Sequence, residues 1–346
     1  MRLSVLDLVP VRTDQTTGDA VAASTGLAQT ADRLGFTRFW VAEHHNMPAV
    51  AATSPPVLLA HLGAHTQRIR LGSGGVMLPN HAPLAVAEQF ALLEAAHPGR
   101  IDLGIGRAPG SDPVTSLALR GAAGRDDGDI TNFPQYLDDV VALMGTEGVR
   151  VAVPRQNYVL KATPAAASEP RLWLLGSSMY SAQLAAAKGL PYVFAHHFAG
   201  RGTAEALAYY REHFQPSDVA SEPVTFLTVN ATVAETRDEA LALALPNLQN
   251  MARLRTGLPM QAVDLVEDAE KVELPDAAQA MVDSGLAQPA IGTPAEAAAQ
   301  IRELAEQFDV DEVMLHPVAS ARQGVDPRRS PARERTLELL ATELLT

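Results

Sequence analysis

Ile69-Arg70-Leu71-Gly72-Ser73-Gly74-Gly75-Val76, then Pro83-Leu84-Ala85-Val86-Ala87-Glu88-Gln89-Phe90-Ala91-Leu92-Leu93-Glu94-Ala95-Ala96, then Arg100-Ile101-Asp102-Leu103-Gly104-Ile105-Gly106 read as strand, helix and strand. The first and third runs are apolar, short and glycine-punctuated; the second opens on a proline and is long enough for a helix. A strand, a helix and a strand in a unit of about 30 residues predict parallel strands joined by a right-handed crossover. The pattern repeats on both sides. Strands are expected near residues 3, 38, 70, 102, 172, 193, 226 and 313. Helices are expected at Gly18–Leu34, Pro55–His65, Pro83–Ala96, around Leu137–Met144, after Ser177 or Ser178, at Thr203–His213, and after the capping boxes Thr236–Glu239 and Thr293–Glu296. An open doubly wound sheet of eight strands leaves two unpaired edges, whereas a closed barrel leaves none, so the expected fold class is an α/β (β/α)8 TIM barrel in a single domain, 1–346. The run Ala162–Pro170 and the segment from about Arg255 to Pro289 have no clear periodicity. The second is expected to be a lid inserted between strand seven and the last helix, and 318–346 a C-terminal tail ending in a helix from about Pro331.

Composition narrows the function. The chain has 346 residues and no cysteine, which excludes disulfides, thiolate metal sites and a cysteine nucleophile. A formal net charge of −13 argues against nucleic acid, whose phosphates need a basic footprint. No apolar run reaches the roughly 18 residues of a membrane span, and the first residues lack the apolar core of a secretory signal. A cytoplasmic enzyme with a small-molecule substrate and no membrane partner is the expectation.

In a barrel the chemistry sits at the C-terminal strand ends. Those ends here carry Asp7, Glu43-His44-His45, Gly74-Gly75, Arg107, Gly176-Ser177-Ser178, His196-His197 and His316. Histidine with an ordinary pKa of about 6.5 can give or take a proton at working pH, or can simply brace a loop carbonyl. Gly74-Gly75 interrupts an apolar strand, which marks either a tight bend or a close approach of backbone to another body such as a flat ring. Gly176-Ser177-Ser178 between a strand and a helix is either an ordinary N-cap or a phosphate cradle, and Arg107 on the neighbouring strand end favours the cradle. No His-Glu-x-x-His spacing supports a metal, so none is expected. His61, His65, His81, His97 and His213 have no partner that the sequence names.

Several of these runs together resemble one family. Phe39-Trp40-Val41-Ala42-Glu43-His44-His45 resembles the strand-two signature of the luciferase-like monooxygenase superfamily, and Leu71–His81 its strand-three signature. Gly99–Arg107 is similar to its strand-four segment, Leu174–Ser178 to the phosphate turn of its FMN-using members, and Ile291–Pro294 to the entry of its last helix. The resemblance implies a barrel, usually dimeric, that binds FMN as a reduced cosubstrate supplied by a separate NAD(P)H:flavin reductase. It implies that Arg107, Gly176, Ser177 and Ser178 hold the phosphate and that Gly74-Gly75, a non-proline cis peptide in the family, backs the ring. It also implies that His44 is the catalytic proton-transfer group; Asp7, Glu43, His45, His196 and His197 are candidates for the pocket wall from their strand-end places. The implied activity is monooxygenation of an unidentified small organic substrate with O2. The same fold with F420 and hydride transfer is the alternative, and a non-enzymatic flavin-binding protein is a second. Gly106 stands where the catalytic luciferase subunit has a reactive cysteine, so light emission is not implied.

Overall fold

The computed structural model describes residues 1–108, 112–121, 128–145, 147–153, 156–163 and 167–345. Eight parallel strands form the barrel: β1 (Arg2–Asp7), β2 (Arg38–Val41), β3 (Arg70–Met77), β4 (Ile101–Gly106), β5 (Arg171–Gly176), β6 (Tyr192–Phe194), β7 (Leu227–Val233) and β8 (Glu312–Pro317). Their lateral order is β7-β8-β1-β2-β3-β4-β5-β6, with the two-residue strand Ile291–Gly292 beside β7. The two ends of this order meet at a single parallel bridge, Tyr192 to Thr225, where the Tyr192 N–H donates to the Val224 carbonyl at 3.0 Å. Above the bridge, the Thr228 hydroxyl reaches the Phe194 carbonyl at 3.3 Å, so a side chain replaces the missing ladder.

The helices start where the sequence says they should. Thr16 and Asp19 form a reciprocal capping box ahead of Thr17–Leu34, which ends on Gly35 in the left-handed region at φ 84°. Pro55 and Pro83 open helices Pro55–His65 and Pro83–Ala96, where a missing N–H costs nothing. The Thr293–Glu296 box is complete. The Thr236 box is only half formed. Its hydroxyl accepts from the Glu239 N–H, but the Glu239 carboxylate is drawn away to Arg322 at 2.5 Å.

Two long connections differ from expectation. The segment read as an irregular lid at 255–289 is largely structured. Helix Arg237–Thr256 runs into it, Val266–Ala269 and Asp276–Leu286 are helical, and Val263 pairs through its backbone with Val11 and Thr13 at 2.8 and 2.9 Å. Helix Asp276–Leu286 buries Ala278 and Val282, and Gly285 leaves room for Leu248 on helix Arg237–Thr256. The stretch before β5 contains an antiparallel hairpin, Val149–Val153 with Gln156–Leu160, that the sequence did not announce. Residues 164–166 of the expected Ala162–Pro170 connection lie outside the described residues.

The barrel interior is not purely apolar. Arg38 is 1% exposed, and its guanidinium bonds both Glu312 oxygens on β8 at 2.7 and 3.1 Å and Asp102 on β4 at 2.8 Å. Ser4 on β1 donates to Glu312, and Trp40 and Arg70 donate to Asp102. Trp173 and Phe226 stack against the guanidinium at 4.8 and 5.3 Å. Gly72 is required by this layer, since a Cβ there would lie 2.5 Å from Trp40 Nε1. Removing Arg38 strands two buried carboxylates, so Arg38→Met should lower unfolding stability by about 3–5 kcal/mol. Urea denaturation of the variant checks this, and an unchanged midpoint would show that the network is dispensable.

Candidate active site

A cavity of about 460 Å³ opens at the C-terminal ends of the strands, within the size range of small-molecule sites. Its wall takes Leu6 from β1, Gly74 and Gly75 from β3, Gly106 from β4, and Leu175 and Gly176 from β5. Loops after the strands add His44, Arg107, Ser177, Ser178 and His197, and β8 adds His316. A larger hollow of about 800 Å³ lies at the opposite end, between Met1–Arg2, Glu222–Thr225 and Asp309–Asp311. Its arginines are committed to the protein, Arg2 to Asp311 at 2.7 Å, Arg211 to the Phe308 carbonyl and Arg302 to the Glu343 carbonyl. The strand-end cavity is therefore the candidate site.

Of the expected residues, His44, Gly74, Gly75, Arg107, Gly176, Ser177, Ser178 and His197 share that wall. Ser178 occupies the N-cap position of helix Met179–Lys188, with extended dihedrals of −144° and 163°, but its hydroxyl does not cap the helix. The side-chain bond of an ordinary N-cap serine is thus not made by Ser178. The first-turn N–H groups remain available beside two hydroxyls, and a helix of this length carries a useful positive end. Arg107 lies over the Tyr180 ring in the first turn of that helix, 4.1 Å from its centroid. Stacking fixes the guanidinium plane near the serines. Gly176 is needed because a Cβ would overlap Ser181, whose hydroxyl bonds the Ser178 carbonyl at 2.7 Å and Tyr192 at 3.0 Å. A buried donor also waits on the wall. Asn250 is 7% exposed, and its Nδ2 has no hydrogen-bond partner among the described residues. These donors fit a phosphate-bearing cofactor with polar ring edges.

Gly74-Gly75 is a cis peptide within a bulge of β3. The glycines answer first to the barrel itself. A Cβ on Gly74 would lie 2.9 Å from Leu6, and one on Gly75 would lie 2.6 Å from Leu175 and 2.8 Å from the Gly104 carbonyl. Both glycines thus answer to tight packing of the barrel wall at the bulge.

Four expected wall residues sit behind it instead. Glu43 is fully buried and accepts from His45 Nε2 and His81 Nε2, both at 2.8 Å, and from the Met77 N–H at 2.9 Å. Burial alone would raise its pKa, but the bonds from His81, His45 and Met77 hold it below the usual carboxylate range. Glu43 and His45 thus brace the β3 bulge rather than face the cavity, and His81 is the partner that the sequence could not name. Asp7 is buried against Arg333 Nη2 at 2.5 Å, the Val9 N–H at 2.8 Å and the Ser24 hydroxyl. His196 turns to Thr203 at 2.8 Å and packs on Phe308.

Sequence reasoning missed Asn230, Arg333 and Tyr180, and named His316 only as a strand end. Asn230 and Arg333 are polar residues in a strand and a C-terminal helix, with no motif around them. The histidine cluster is held neutral. Burial, with His196 and His44 nearby, pushes His197 down to about 4, and burial with His197, Arg333 and His44 pushes His316 well below 6.5. Between pH 6.5 and about 4 the unfolded chain takes up the proton that folded His197 refuses. Stability is thus full above that window and lost as pH falls through it. Going from pH 7 to pH 5 should cost about 2 kcal/mol through His197 alone. Urea midpoints across pH for the wild type and His197→Gln check this; equal slopes would refute it.

The chain matches the luciferase-like monooxygenase family over residues 1–311. It is 39% identical to a "Luciferase-like monooxygenase" of Escherichia coli (strain K12), over 90% of each chain. It is 38% identical to the "N-acetyl-S-alkylcysteine monooxygenase" of Bacillus subtilis (strain 168), over 69% of this chain and 70% of that one. Among solved structures it superposes on apo-MsnO8 with a TM-score of 0.86 and 32% identity, covering 99% of this chain and 98% of that one.

Proposed function

The chain belongs to the luciferase-like monooxygenase family, and we propose that it uses reduced FMN and O2 to oxygenate a small organic substrate in the strand-end cavity. The observation that carries this reading is the uncapped Ser177-Ser178 turn facing the same cavity as Arg107 and His44. Solved proteins of this fold carry FMN or F420. Two hydroxyls, helix N–H groups and one arginine suit a single terminal phosphate. Bound there in reduced form, FMN would supply the two electrons that O2 activation requires.

The protein's own part is positioning and water exclusion. Arg107, Ser177, Ser178 and the first-turn N–H groups hold the phosphate, while the Gly74-Gly75 segment supports the ring. Glu43, bonded to the Met77 N–H, fixes that segment. His44 gives or takes the proton that the reaction moves, and the neutral His197 and His316 do not compete for it. Met251, Leu254 and Met260 close the apolar side and leave little for water to bond. A separate reductase would deliver reduced flavin. Val57 and Leu92, 69% and 58% exposed on the apolar helices Pro55–His65 and Pro83–Ala96, suit a homodimer face.

Fluorescence titration with FMN and F420, followed by reduced-flavin and O2 consumption with an accepted substrate, tests this reading. Arg107→Ala should weaken FMN binding by about 10- to 100-fold. His44→Ala should keep FMN affinity and slow turnover by roughly 10²- to 10⁴-fold. F420 binding without FMN binding would overturn the cofactor, and full turnover in His44→Ala would overturn the histidine's role.

A further inference from the structure

Arg12, Arg107 and Arg333 all reach the cavity wall, yet no aspartate or glutamate does among the described residues, in a chain with 40 acidic and 27 basic residues. Arg107 is accounted for by the phosphate turn, and Arg12 is closed off by Asp14, at 2.9 and 3.1 Å, and the Arg329 carbonyl. Arg333 is different. It is 4% exposed, and Nε is spent on the Pro317 carbonyl at 2.9 Å and Nη2 on Asp7 at 2.5 Å. Nη1 has no acceptor among the described residues. Asp7 offsets the charge through Nη2, but its oxygens are also taken by the Val9 N–H and Ser24, so Nη1 keeps its hydrogens for a ligand. What faces the cavity is the free donor edge of an ion-paired guanidinium.

The neighbour of Arg333 is an acceptor. Asn230 Nδ2 donates to the His197 carbonyl at 2.9 Å, which sets the amide so that Oδ1 faces His316 Nδ1, also at 2.9 Å. An amide oxygen only accepts, so Nδ1 carries the hydrogen. His316 is neutral, since burial and the nearby His197 and Arg333 oppose a second proton. Its Nε2 therefore presents a lone pair, with no protein donor among the described residues.

We propose that Arg333 Nη1 and His316 Nε2 read a carboxylate together with the hydrogen-bond donor on its α-carbon, and that the substrate is an N-acylated amino acid with an apolar side chain. This rests on the cavity's being the oxygenation site. A carboxylate without an adjacent donor meets the lone pair of Nε2 and is repelled. A free α-ammonium would donate to Nε2, but Asp7 and Asp14 are spent on Arg333 and Arg12, so no carboxylate among the described wall residues accepts from it. An amide N–H satisfies the acceptor without charge, and Met47, Met251, Leu254 and Met260 suit the apolar remainder.

The test is calorimetric binding to the full chain, with and without FMN, of N-acetyl-L-methionine, its methyl ester and 4-(methylthio)butanoate. The first should bind, and the ester and the acid lacking N–H should each bind about tenfold more weakly or worse. Arg333→Gln should erase the preference for acid over ester. Because that variant also strips Asp7 of a partner, His316→Phe is the second probe. It should keep the preference for acid over ester and erase the preference for the N–H. Equal binding of acid and ester, an N–H preference that survives His316→Phe, or no binding of any probe beside normal FMN binding would each overturn the proposal. The last outcome leaves the flavin reading intact. Acid-selective binding in a protein that takes no FMN would instead leave this subsite standing and remove the flavin.

Discussion

Arg38 carries a full charge inside the barrel, and the arrangement around it follows from the cost of that burial. A desolvated guanidinium forfeits several kcal/mol of hydration unless its N–H groups all find acceptors. Glu312 and Asp102 supply them from strands on either side, at 2.7–3.1 Å. Each carboxylate then needs its own donors, which Ser4, Trp40 and Arg70 provide. Strands β1, β2, β3, β4 and β8 are thus tied by one set of charge-assisted bonds, and β5 joins through Trp173 over the guanidinium. Ladder bonds run equally well in any register. The charged layer does not, because slipping one strand by a residue would turn its charge into the helical shell.

That plug fills the lower barrel and leaves the upper layer to small side chains. Gly74 and Gly75 at the bulge of β3 and Gly106 at the end of β4 bring the backbone itself to the cavity wall. The C-terminal segment then completes the wall. Residues 318–321, Ser330 and Arg333 line the cavity, and Leu337, Leu340 and Leu344 anchor helix Pro331–Leu344 against the barrel. The tail is part of the site, tied to β1 through Arg333 and Asp7.

The barrel was legible because parallel strands buried on both faces read as continuous apolar runs, and because prolines, glycines and capping boxes mark the helix ends within a residue or two. The Gly176–Ser178 turn, Arg107 and His44 were legible as cavity residues from their places at strand ends. Two kinds of information were not. Partners distant in sequence, such as His81 for Glu43 or Arg333 for Asp7, leave no local pattern, so residues at strand ends were assigned to the wall when they stood behind it. The segment 255–289 breaks into two short helices, Val266–Ala269 and Asp276–Leu286, beside the backbone-paired Val263, so no single long period spans it.

Parallel ladders join the barrel strands except between β6 and β7, where one backbone bridge, the Thr228 hydroxyl and the Asn230 amide on the His197 carbonyl span the seam. Thr228, which fastens it, is also the residue that bonds His197 Nδ1 at 2.8 Å. With Asn230 on the carbonyl of the same histidine, closure of the scaffold at this seam and placement of an imidazole on the cavity wall rest on the same two side chains.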